Sequence, residues 1–322
     1  MRLTTPASSL AAPLLAVPGV FERVRAGALF VFNYHDVTET PSRFCLDFDL
    51  AVSPDLFTKQ LTWIRDHFNV IGPHQLLADD FEPPAAMVTF DDGFRGAFSE
   101  GGRRLKAAGL PAVVFLNMAP ILGQVFWSGL VTYLSLHHGG FRTFIEARRG
   151  PLARDFYLYC TPQDVQAFIE RHGDGAVAES VSYAGAFARP EDLAGSAANG
   201  LFLGNHLFNH YNAAQLPPDD LREQFLRNDA ALSQYPNHVP LFSYPFGQPR
   251  TCYNATTDRQ LLALGAARVF TAFPLANHDR SATRLHRVSM HGRVDSGARF
   301  LANTVVPARV NQLFRRQLDA NA

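Results

Sequence analysis

The sequence predicts an α/β fold with enough parallel strands for a barrel of βα units, and three observations predict it. From Ala28 onward, short apolar runs alternate with helical patterns, as in strands laid parallel and joined by crossover helices. Those runs are continuously apolar, which marks strands buried on both faces. The 322 residues, 47% hydrophobic and 18% charged, can bury one enlarged core and exclude wholesale disorder.

Taken in order, the strand candidates are Leu29–Phe32, Met87–Phe90, Ala112–Leu116, Leu201–Leu203, Leu241–Tyr244, Arg268–Phe273 and Arg287–Met290. Ser53-Pro54-Asp55 starts a helix, with serine as N-cap and proline at the first helical position. Phe57, Leu61, Ile64 and Phe68 follow at helical spacing and form its buried face. The stretch from about 120 to 199 is too long for one βα connection. Its patterns (Leu130, Tyr133, Leu134; Val165, Phe168, Ile169) predict a helical insertion over one end of the barrel. After Ser296, the residues Phe300, Leu301, Val310, Leu313 and Phe314, with Arg315 and Arg316, predict a closing helix. The chain thus divides into a lead segment, 1–28, and a barrel, 29–322.

Charge and cysteine content narrow the function classes. Twenty-nine basic side chains balance 29 acidic ones, which argues against a nucleic-acid binder. No apolar run reaches the ~18–20 residues of a membrane span. Cys45, Cys160 and Cys252 are odd in number and lack metal-ligand spacing, so they read as buried thiols of a reducing compartment. Arg2 and the Ala/Leu/Pro stretch Ala7–Val20, interrupted by prolines, make a poor secretory signal. Together these favour a cytoplasmic location, with secretion or a periplasmic location as the alternative.

Four segments at strand ends carry candidate chemistry. Val88-Thr89-Phe90-Asp91-Asp92-Gly93 puts adjacent carboxylates just past a buried strand, where α/β folds place their active sites. Like charges so close raise one another's pKa; a cation on one would relieve this and leave the other as a base. The plainer reading is a solvated turn. In Gly204-Asn205-His206-Leu207-Phe208-Asn209-His210, a helical conformation would put both imidazoles on one face. Two histidines and a carboxylate make a three-ligand zinc site; a chance pair is the alternative, weakened by Asp91-Asp92 at another strand end. Phe242-Ser243-Tyr244-Pro245-Phe246-Gly247 runs from a strand into a rigid turn. It reads as a loop or as a pocket wall, with a backbone N–H near Phe246 as an oxyanion donor. Asn33-Tyr34-His35-Asp36-Val37 sets a histidine beside an aspartate, by default a structural pair, at the same rim.

Together these segments resemble the polysaccharide deacetylases, the family with the NodB-type domain (carbohydrate esterase family 4). Thr89–Gly93 is similar to its first motif and Gly204–His210 to its histidine motif. Phe242–Gly247 and Tyr34-His35-Asp36-Val37 resemble the Phe-Ala-Tyr-Pro-Tyr-Gly branch typified by poly-β-1,6-N-acetylglucosamine deacetylases. The resemblance spans roughly residues 29–292. It implies a distorted (β/α) barrel in which Asp92, His206 and His210 hold one divalent metal, Zn2+ foremost and Ni2+, Co2+ or Fe2+ as alternatives. It also implies Asp91 as general base and His35 as the acid, with His291 as the alternative, and Tyr244, Pro245 and Phe246 at the substrate and oxyanion position. The implied partner is an N-acetylated carbohydrate: polymer, oligosaccharide or biosynthetic intermediate.

Two positions depart from the family's pattern. Leu207 replaces the usual hydroxyl residue of the histidine motif, and Ser243 stands where many members carry the arginine that orients the base; Arg95 is a candidate substitute. Two further readings stay open: the same chemistry on a non-sugar amide, because fold and site do not fix substrate, and a catalytically dead glycan- or partner-binding barrel.

Overall fold

In the computed structural model, residues 19–151 and 155–313 are described. The interrupted stretch preceding Gly19, and Phe314, Arg315 and Arg316 of the expected closing helix, lie outside them. Strands β1 (Leu29–Tyr34), β2 (Ala85–Phe90), β3 (Ala112–Leu116), β4 (Leu201–Asn205), β5 (His238–Ser243), β6 (Arg268–Thr271), β7 (Arg284–His286) and β8 (Val288–Ser289) lie in the order β7-β6-β5-β4-β3-β2-β1-β8. Every one of these pairings is parallel.

The last two strands explain how the sheet closes. They form one run interrupted at Arg287: Arg284–His286 pairs with β6, and Val288–Ser289 pairs with β1. The expected strand at Arg287–Met290 therefore starts earlier and changes partner at Arg287, whose side chain leaves the ladder for the barrel interior. Asn277 stitches the gap. Its backbone exchanges both hydrogen bonds with Leu29, and its amide donates to Leu29 O and His286 O while accepting from His286 N–H. The result is an α/β barrel, closed except for this splayed seam.

Alternation along the strands sorts their side chains. Leu29, Val31, Ala85, Met87, Val113, Phe115, Leu241, Phe270 and Leu285 form one apolar cluster, the barrel's interior, while their neighbours in sequence face the surrounding helices. Gly204 is required by this packing: a Cβ there would lie 2.6 Å from the Phe115 ring. Two residues further toward the C-terminal edge, at Asn33, Thr89 and Ser243, the inward positions turn polar.

Around the barrel, α1 (Pro54–His67) starts as expected, with the Ser53 hydroxyl accepting from Leu56 N–H and with Phe57, Leu61 and Ile64 buried. The insertion contains α2 (Trp127–His137), α3 (Phe141–Arg149), α4 (Pro162–His172) and α5 (Gly175–Ala184). It has its own apolar core, in which Trp127, Val131, Phe141, Phe156 and Phe168 meet. Helix α6 (Pro218–Leu232) follows β4. The described C-terminal residues are helical from Gly297 to Leu313. Phe300 of this segment is buried against Phe32 and Trp63, as a closing helix requires. The three cysteines are free and buried. No described helix is long and apolar enough to cross a membrane.

Candidate active site

The polar inward positions at the strand ends build the site. Asn33 of β1, Thr89 of β2, Ser243 of β5 and Arg287 at the seam are all buried and converge on Asp91. The Arg287 guanidinium grips the Asp91 carboxylate bidentately, Nη1 to Oδ1 and Nη2 to Oδ2, both at 2.7 Å. It also donates to Asn33 Oδ1 at 2.8 Å, Ser243 Oγ at 2.6 Å and Thr271 O at 3.1 Å. Asn33 Nδ2 adds a bond to Asp91 Oδ2 at 3.0 Å, and Thr89 Oγ1 donates to Asn33 Oδ1. Such planar, two-point recognition needs arginine rather than lysine. Burial alone would raise the Asp91 carboxyl; Arg287 foremost, with His206, holds it below the ordinary carboxylate range.

Asp92, the next residue, has a different setting. Both Asp92 (φ 70°) and Gly93 (φ 84°) are left-handed, so the chain turns sharply at the strand end and the two carboxylates part. A Cβ on Gly93 would lie 2.5 Å from Leu116 Cδ2, which makes glycine the fitting residue there. Asp92 Oδ1 lies 3.0 Å from His210 Nε2 and 3.5 Å from His206 Nε2. Burial opposes its charge, but the two imidazoles hold its carboxyl well below the usual range.

His206 and His210 meet, though not on a helix. The expected helical turn is an irregular loop after β4, with Leu207 (φ 60°) and His210 (φ 61°) left-handed. The reason lies in its anchors, which satisfy the loop backbone from outside and leave no need for helical bonds. Phe208 N–H donates to Gln224 O and Asn209 N–H to Gln224 Oε1. Leu207 N–H donates to Asn205 Oδ1, itself held by Asn228 Nδ2. Leu207 is fully buried in the apolar cluster with Phe225 and Phe242, so packing replaces the family's hydroxyl.

The donor set fits a metal. One oxygen of Asp92 and one nitrogen each of His206 and His210 lie within 4.8 Å of one another. His206 Nδ1–H donates to Ser243 O at 2.7 Å, which fixes the tautomer and turns the Nε2 lone pair toward Asp92, as in metal-ligating histidines. Asp92 Oδ1 is buried and accepts no well-directed hydrogen bond. A carboxylate oxygen facing an imidazole lone pair is repulsive unless a cation lies between them.

A cavity of about 300 Å3 collects Asn33, His35, Asp91, Asp92, His206, His210 and Phe246. His35 follows β1 on its wall; burial lowers its pKa while Asp92 and Asp91 pull the other way. Phe246 (φ 60°) stacks edge-on against His210, with centroids 4.9 Å apart. Four sequence candidates fall elsewhere. Tyr244 is buried, its hydroxyl bonded to Asp258 at 2.6 Å and Thr257 at 3.2 Å, and neither it nor Pro245 lines the cavity. His291 faces Asp49 at 3.9 Å, outside the cavity lining. Arg95 bonds Ala186 O through its N–H on the outer face and makes no contact with Asp91. Arg287 occupies the position for which Arg95 was the candidate. It opens a strand candidate, and the only signal is a charged residue at the start of that run.

A family model described as polysaccharide deacetylase matches residues 157–269, a span that includes the histidine loop and Phe242–Gly247. No curated protein sequence matches the chain. Among solved structures, a deacetylase from Streptococcus pyogenes in complex with acetate is 16% identical with TM-score 0.57, over 86% of this chain and 98% of that one. IcaB from Ammonifex degensii is 19% identical with TM-score 0.58, over 87% and 97%. A polysaccharide deacetylase from Bacillus cereus is 12% identical with TM-score 0.54, over 86% and 69%. At such identities the likeness is one of fold, and the polysaccharide deacetylase model covers about a third of the chain.

Proposed function

We propose that the chain is a metal-dependent hydrolase that removes the N-acetyl group from an N-acetylated sugar. The observation that carries this reading is the adjacency of two differently held carboxylates, Asp91 on Arg287 and Asp92 on the histidine pair, in one cavity. Asp92, His206 and His210 would hold a divalent ion, Zn2+ foremost. Three protein ligands leave a position open, and such an ion lowers the pKa of bound water to about 7 and polarises a carbonyl.

Every other step belongs to the chain's own residues. Asp91 stays ionised beside Arg287 and accepts the proton of the attacking water at a carboxylate oxygen. Arg287, Asn33 and Ser243 fix that carboxylate in place, so no reorientation is needed during reaction. The Phe246 N–H, which has no hydrogen-bond partner among the described residues, is available to the developing oxyanion. His35 donates a proton to the departing amine; burial makes its imidazolium a stronger acid than the free side chain. The products are acetate and a free amino sugar.

Acetate release tests the reading. Wild type supplied with Zn2+ is expected to release acetate from an N-acetylated sugar, and Asp92→Ala to lose at least about a thousandfold of that rate, because metal activation of water is gone. Full activity in Asp92→Ala would overturn it.

A further inference from the structure

The cavity's shape narrows the substrate class, on the reading that the chain is a sugar deacetylase. Asp91, Asp92, His206 and His210 are only 1–5% exposed, so the reacting groups lie at the bottom of a pit. Around its mouth stand three aromatic rings from three separate segments: Phe48 from the short helix Arg43–Phe48, Tyr157 from the insertion and Phe246 from the loop after β5. Tyr157 links the other two, 6.3 Å from Phe48 and 6.2 Å from Phe246 between centroids. Aromatic faces pack against the C–H faces of sugar rings, and Asp155 and Gln248 at the same lining supply hydrogen-bonding groups for hydroxyls.

The roof that carries Tyr157 is held from both sides. Phe156 is buried in the insertion's core against Phe141, and Leu158 O accepts from Asn212 Nδ2 at 2.6 Å. Asn212 closes the histidine loop, so the roof and the metal-site loop are tied to one another. About 300 Å3 is at the small end of ligand pockets. An internal residue of a glycan has neighbours on two sides and needs a trough open at both ends. A residue at a chain end, or a single sugar on a carrier, needs only one opening.

We propose that the Phe48–Tyr157–Phe246 collar admits one N-acetylated sugar residue substituted on a single side, and excludes internal residues of a polymer. The substrate class is therefore a chain end or a carrier-linked monosaccharide.

The test compares three probes on the full chain supplied with Zn2+: octyl N-acetyl-β-glucosaminide and the β-1,4- and β-1,6-linked pentamers of N-acetylglucosamine. Acetate is counted, and the deacetylated residue is located by mass-spectrometric sequencing. The expected result is turnover of the octyl glycoside, and in pentamers a preference for an end residue of at least about tenfold, within reach of a shaped pocket. Tyr157→Ala is expected to bring that ratio below about threefold by widening the mouth; Phe48→Ala serves if that variant does not fold. Internal residues deacetylated by wild type as fast as end residues would overturn the proposal while leaving the deacetylase reading intact. No acetate from any probe would overturn both.

Discussion

The strand-end rim and the helical insertion are built by different physics, and the difference separates chemistry from access. At the rim, each reacting group is placed by sheet register and then cross-linked by buried polar bonds, as Asp91 is by Arg287, Asn33 and indirectly Thr89. The insertion is held by an apolar core of its own, and it meets the barrel through an aromatic cluster of Phe44, Phe94, Phe126 and Tyr183 and through polar ties such as Tyr183 to Asp47 and Asn212 to Leu158. A change in the rim therefore disturbs a network whose members cannot be replaced singly. A change in the insertion alters packing, and with it the cavity's mouth.

Paired substitutions break or sharpen this contrast, and the largest effect is expected at Arg287. Arg287→Met strands the Asp91 carboxylate without its cation and is expected to cost about 3–5 kcal/mol of stability, together with the acetate release of whatever remains folded. Phe141→Ala in the insertion core is expected to cost a similar ~3–5 kcal/mol while the folded fraction keeps its turnover. Chemical denaturation with acetate release measured on the folded fraction separates the two. Equal loss of turnover in both variants would erase the distinction.

Next in size is the choice of acid. His35→Ala is expected to slow turnover by about a hundredfold or more, the contribution of a positioned proton donor. His291→Ala is expected to stay within about threefold, since His291 lies outside the cavity lining. The reverse order would reassign the role.

The smallest effect concerns Asp36, which follows His35 in sequence but lies outside the cavity lining. It is buried and has no ion-pair partner among the described residues, and although Val37 and Gly96 N–H groups favour its charge, burial pushes its pKa up to about 6. Its folded pKa exceeds the unfolded value of about 3.9, so the native state binds the extra proton. This contribution to stability is full below about pH 4 and is lost as pH rises through about 6. Asp36→Asn is expected to remove that fall, worth about 2–3 kcal/mol. Denaturation midpoints at pH 4 and pH 7 check it, and parallel profiles in wild type and variant would count against it.

The barrel was legible because strands buried on both faces leave continuous apolar runs, and all seven runs correspond to strands. The metal-site residues were legible as types at strand ends, yet the conformation joining His206 to His210 was not. It depends on Gln224 and Asn228 of α6, which no local pattern links to the loop. Arg287 was missed for a related reason: its partner Asp91 lies 196 positions away in sequence, and nothing near Arg287 announces a carboxylate. Tyr244 and Pro245 look like site residues in sequence because they precede Phe246, but the strand's alternation turns the Tyr244 side chain toward Thr257 and Asp258. The insertion's helices showed in their spacing; that Tyr157 joins Phe48 and Phe246 at the cavity mouth did not, because the three come from separate segments.

The central claim is that Asp92, His206 and His210 hold the ion on which hydrolysis depends, and the divalent-ion content of the purified full chain tests it most directly. The account predicts about one ion per wild-type chain, as a three-ligand site implies, and close to none in His206→Ala. A wild-type protein that releases acetate at its full rate with no divalent ion bound would contradict it.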